Sequence, residues 1–224
     1  MKNCIRLLSM LMLFTVIALS ACGTKTSSNS NVIPNSLQTI EAAAEDIIDF
    51  APSGNWDKIS MDVTDIAKAW KAYQPQAGKD GASQELQDAM TSALTHLQTA
   101  SAANDSAATM QASNDVSAAV VEMFALYNPK IPADIGRLDV LERQVILDVA
   151  ANDYSAATES FANTKSVWEK VKPSALKHDG KDVAGEFEAS LAAQESALNA
   201  KDGAALVDEA KNGLEIVDAL EKLY

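Results

Sequence analysis

Residue types able to do chemistry are thinly spread through this chain, and one stretch concentrates them. Ala133-Asp134-Ile135-Gly136-Arg137-Leu138-Asp139-Val140-Leu141-Glu142-Arg143 carries five charged residues in eleven positions. Steps of three and four put Asp139, Glu142 and Arg143 on one helical side. Two readings of the stretch stand side by side. One is a salt-bridged helix start; the other is a polar cleft in which Asp134, Arg137, Asp139 and Glu142 meet a ligand or partner. Elsewhere the usual constellations are missing. His96 and His178 lie in neither His-x3-His nor Glu-x2-His spacing, so no helical zinc or di-iron set is visible. There is no Cys-x2-Cys-His for covalent haem and no glycine-rich phosphate loop. Nothing selects a Ser-His-Asp triad, so the expectation is a protein that is not an enzyme. No cofactor is expected and no metal site can be assigned.

The elements that would position these residues emerge when the chain is laid over itself. Ile33-Pro34 recurs as Ile131-Pro132, Trp56 is matched by Tyr154, Trp70 by Trp168 and Pro75 by Pro173, all 98 residues apart. After a small gap, Asp105 corresponds to Asp202 and Leu126-Tyr127 to Leu223-Tyr224, at a separation of 97. The pattern predicts a tandem duplication with repeats over 33–129 and 130–224. A finer period lies inside it: Asp57, Asp105, Asp153 and Asp202 recur every 48 or 49 residues. Aspartate at such a place can accept hydrogen bonds from the free N–H groups of a helix's first turn. Apolar residues at steps of three and four, such as Leu86-Met90-Ala93-Leu94-Leu97 and Val183-Phe187-Leu191-Leu198, mark buried helical stripes.

Eight helices are therefore predicted, over 36–50, 54–73, 82–101, 105–127, 134–150, 153–172, 181–200 and 203–223. The fold class is all-α. Two four-helix bundles are favoured over a continuous curved stack of hairpins.

Duplication also serves as a filter, since a residue matched in both halves speaks for the fold and an unmatched one for specialisation. Trp70 and Trp168 share their place and read as core. Met90, Met110 and Met123 align with Phe187, Val207 and Leu220, which favours packing over copper binding. The Asp134–Arg143 stretch is unmatched, because its counterpart near Asn35 to Glu45 has no arginine.

The N-terminus carries a separate signal. Lys2 and Arg6 precede an apolar run from Leu7 to Leu19, about 13 residues and too short for the roughly 20 that span a bilayer. It ends in Leu19-Ser20-Ala21-Cys22, which resembles the lipobox of bacterial lipoproteins. The resemblance implies cleavage before Cys22, a diacylglyceryl group on its thiol and, in many bacteria, an acyl chain such as palmitate on its amine. It implies attachment to a cell membrane or outer membrane on the extracytoplasmic face. With Cys4 removed in the signal, Cys22 has no cysteine partner. Residues 22–32 read as the lipidated cysteine and a flexible polar tether. Gly-x-His-x2-Glu, the signature of imelysin-like iron-uptake lipoproteins, is absent.

The mature chain would hold 16 basic against 31 acidic residues, a net charge of −15 once Lys2 and Arg6 leave. Such a surface repels nucleic acid, so none is expected as a partner. The functional expectation is a membrane-anchored, non-enzymatic module that binds an envelope protein or a small ligand. The alternative is a carrier of metal or small solute with acidic ligands in the groove between halves.

Overall fold

A computed structural model describes residues 32–224 of the chain. Cys22 and the lipobox lie outside the described residues. Eight α-helices follow in order: α1 (Asn35–Phe50), α2 (Trp56–Asp80), α3 (Gln84–Ala102), α4 (Ser106–Phe124), α5 (Ala133–Ala150), α6 (Tyr154–Lys177), α7 (Lys181–Ala200) and α8 (Gly203–Glu221). No strand occurs among the described residues.

The polar loops between helices are short, so sequential helices run antiparallel and share apolar faces. In the first half α1 packs on α2 and α4, and α3 packs on α2 and α4, which closes a ring. The second half repeats this with α5 on α6 and α8, and α7 on α6 and α8. A continuous stack would leave α1 apart from α4 and α5 apart from α8, so the bundles are two. Each has its own core. Leu37, Ile40, Ile66, Trp70, Met90, Leu97, Val116 and Met123 fill the first, and Ile135, Leu138, Phe161, Trp168, Phe187, Leu206 and Val217 fill the second. Trp168 packs on Phe187 with ring centroids 4.8 Å apart. Both matched tryptophans are buried, as the duplication implies.

The recurring aspartates act as expected in three places of four. Asp105, Asp153 and Asp202 accept from the backbone N–H of Ala108, Ala156 and Ala205, each at 3.0–3.1 Å. The residue before each, Asn104, Asn152 or Lys201, sits at φ 54–58° and turns the chain sharply into the cap. Asp57 is the exception: it lies inside the first turn of α2, and the bend there is made by Gly54 at φ 68°. The helix ends after the prolines also differ from expectation. Pro75 and Pro173 sit within α2 and α6, which continue to Asp80 and Lys177. A proline removes one helical hydrogen bond, yet Ala77 and Ala175, each fully buried beyond it, hold the last turn on the core. The breaks fall at Gly81 (φ 110°) and at Asp179 (φ 58°), within the Gly78-Lys79-Asp80-Gly81 and Asp179-Gly180 segments that the sequence marks as breaks.

Candidate functional site

The bundles meet mainly through α4 and α5. Gly136 lets these helices approach closely, since a Cβ there would lie 3.0 Å from Cγ2 of Val121. A chain of polar bonds runs down the seam. Gln111 and Gln144 exchange amide hydrogen bonds at 2.9 and 3.0 Å. Asn114 donates to Gln144 (3.0 Å) and to the Val140 carbonyl (3.2 Å). Gln144 in turn donates to Asp148 at 2.8 Å, and Ser160 of α6 donates to the other Asp148 oxygen at 2.7 Å.

The sequence-selected residues divide between this seam and the second core. Arg137 grips Glu122 of α4 through two nitrogens at 2.6 and 2.8 Å, and bonds Asp134 at 2.6 Å. The paired carboxylates, Glu122 foremost, push its guanidinium pKa up. Asp139 bonds Arg143, whose Nη2 also reaches Glu45 of α1 at 2.7 Å. Glu142 points the other way, fully buried within the second bundle against Gln194 and Gly213. Asp134, Arg137, Asp139 and Glu142 therefore do not converge on one cleft. A helix turns about 100° per residue, so Glu142 and Arg143 can face different neighbours though adjacent in sequence.

Positions 45 and 143 are equivalent in the two repeats, separated by 98 residues, and here they pair directly. The duplicate partners of α4 and α5 are α8 and α1, and between these no comparable seam forms. Where α4 and α5 are joined by Glu122 and Arg137, the matching positions hold Ala219 and Thr39. Where Gln111 meets Gln144, the matching positions hold Asp208 and Asp46. No hydrogen bond joins the matching positions, and that side stays open.

The open side is a groove of about 540 Å³ at the end of the bundles where the chain enters at Val32. Such a volume is within the range of small-ligand pockets. Ile33, Val121, Phe124, Ile131 and Pro132 give it an apolar lining, and Glu41, Glu221 and Lys130 stand among them. Glu41 is pushed up to about 7, first by burial and then by Glu45 and Glu221, with Arg143 opposing. Glu221 is also raised, by burial foremost and then by Asp218 and Glu45. Arg143 is thus the cation that several carboxylates share. Among the described residues no group of three or more His, Cys, Asp or Glu side chains could hold a metal ion.

Sequence reasoning missed Glu41 and Glu221. Glu221 had a usable signal, since it stands where the first repeat has the apolar Phe124. Glu41 had none, being matched by Asp139 and set among alanines. His96 is exposed on α3; His178 is exposed too, its ring tilted 46° against Tyr224 with centroids 4.4 Å apart.

The class defined by this architecture is an all-α protein of two joined four-helix bundles with an acidic groove between them. Comparison with known proteins finds no matching family model, no matching curated protein and no matching solved structure.

Proposed function

We propose that this chain is a lipid-anchored, extracytoplasmic, non-enzymatic binding module whose groove takes a cationic group with an apolar flank. The observation that carries the reading is the open α1/α8 side, where Glu41 and Glu221 stand among apolar residues and stay raised although Arg143 acts on both. Two half-desolvated carboxylates repel each other, and an entering ammonium or guanidinium would hold both ionised. Apolar walls would bury the rest of the ligand. The lipobox supports the anchoring, and the groove opens at the end from which the tether leads to Cys22. An envelope protein offering a basic segment and a small amine carried as solute share this chemistry.

Native mass spectrometry of the mature protein, released gently from its host envelope, tests the reading. A stoichiometric small mass points to a carrier, and a co-isolated protein points to an adaptor. Either should be lost from Glu41→Gln/Glu221→Gln. A bare wild-type protein, or a ligand retained by the double variant, would refute the groove assignment. Cys22→Ser should abolish labelling by radiolabelled palmitate in vivo, and persistent labelling would refute the anchor.

A further inference from the structure

The second bundle is not a copy of the first in its middle. At one position in each helix, the first bundle buries Ala44, Ile66, Leu97 and Val116, all fully. The equivalent positions of the second hold Glu142, Thr164, Gln194 and Gly213. Glu142, Thr164 and Gln194 are fully buried as well. The exchange is concerted. A Cβ on Gly213 would lie 2.8 Å from Glu142 Cδ and 2.9 and 3.0 Å from its two oxygens. The carboxyl occupies the space that a side chain of α8 would fill, so Glu142 and Gly213 require each other.

The hydrogen bonding of this layer is incomplete in an informative way. Gln194 Nε2 donates to Glu142 Oε1 at 3.1 Å and lies 3.4 Å from Ser190 Oγ. Ser190 donates to the Glu209 carbonyl. Glu142 Oε2 and Gln194 Oε1 are both buried and both without a partner. Both are acceptors when the acid is ionised, and buried polar atoms are rarely left so. A proton on Oε2 would turn one of these two acceptors into a donor.

No charge stands in for that proton. Burial and Gln194 are the influences on this carboxyl, and no charged side chain of α4, α6, α7 or α8 acts on it. On its own helix, Asp139 and Arg143 bond each other and Glu45 on the far side, and Asp148 bonds Ser160 and Gln144.

We infer that the second bundle contains a proton-binding site, Glu142 with Gln194, whose proton is held in the folded state and whose loss in alkaline surroundings loosens this bundle. An extracytoplasmic protein experiences external pH directly, so such a site would report it. The inference does not depend on what the groove binds.

Hydrogen exchange of the whole mature chain carrying Glu41→Gln and Glu221→Gln, which removes the raised carboxyls of α1 and α8, tests it at pH 6 to 9 after correction for intrinsic exchange. Burial pushes the Glu142 carboxyl up to about 8. A raised folded pKa means stability falls as pH climbs from the ordinary carboxylate range to about 8 and levels off above it. Protection in α5, α7 and α8 should fall about tenfold per pH unit over that climb, beyond any change in α1–α3. Glu142→Gln, which keeps an N–H donor in place of the acid proton, should abolish the difference. Glu142→Ala/Gln194→Leu/Gly213→Val restores the first bundle's residues, and should abolish it even if the single variant folds poorly. The same pH response after these changes, or equal responses in the two bundles of the Glu41→Gln/Glu221→Gln chain, would overturn the inference.

Discussion

Replacing Arg143 by methionine should cost the protein about 3 kcal/mol at pH 8 and distinctly less at pH 5. Its side chain is only 12% exposed, against 17% for Asp139 and 44% for Glu45. A pair this far from water is not the surface kind worth 0–1 kcal/mol. Removing one partner of a buried pair costs about 3–5 kcal/mol, chiefly because the other charge is stranded. Methionine preserves the stem, so the loss measures charge rather than packing. Half-exposed Glu45 can turn to water, which places the expected figure at the low end. The pH dependence is the sharper test. Arg143 opposes the rise of Glu41 and Glu221, and without it both rise further. Groups whose folded pKa is raised lose stability as pH climbs through it, so the variant's deficit should widen between pH 5 and pH 8 by about 1 kcal/mol. Urea unfolding at both pH values, at fixed salt, gives the answer. A deficit below about 0.5 kcal/mol, or one identical at both pH values, would refute the claim that Arg143 neutralises this cluster. Glu45→Gln, removing the more exposed partner, should cost under about 1 kcal/mol.

Glu41→Gln should stabilise the protein by about 3 kcal/mol at pH 8 and by under about 1 kcal/mol at pH 5, because its folded pKa of about 7 makes its ionised form costly; thermal melts across pH would show a Tm gain that grows toward the alkaline side. Asp105→Ala, Asp153→Ala and Asp202→Ala should each cost about 1 kcal/mol through the lost cap, whereas Asp57→Ala, which caps nothing, should cost less than half of that by chemical denaturation. Trp168→Ala should cost about 3–5 kcal/mol by opening a cavity against Phe187, and the loss of near-ultraviolet dichroism should accompany it.

The helical architecture was legible because it rests on local rules. Stripes such as Leu86-Met90-Leu97 need only a 3.6-residue period, and the Asp caps need only one side chain near its own backbone. What misled was the proline. Pro75 and Pro173 look like terminators in sequence, but buried Ala77 and Ala175 reward the helix for continuing. That reward is tertiary, and no window of sequence contains it. The same distinction governs the polar residues. The Asp134–Arg143 stretch was visible as a departure from its repeat partner. Its side chains then divided between a seam and a core, because direction around a helix depends on what packs against each face.

The duplication carries the argument furthest where it is read as three positions at once. A buried glutamate alone is ambiguous: it could be an ion pair, a ligand or a strained accident. Glu142 gains meaning from Gly213, which makes its room, and from Gln194, which faces it, since the first bundle has Val116 and Leu97 in those places. One substitution without the others would clash or leave a void, so the three form a single physical unit. The groove follows the same logic in reverse. Its α1 and α8 walls differ from the α4/α5 seam by the loss of each bonding pair and the gain of carboxylates such as Glu221 in place of Phe124. A bundle pair that needed only to be stable would have kept both seams closed, because closing the second would bury more apolar surface at about 25 cal/mol per Å². The open acidic side is the surface that the proposed occupant would close.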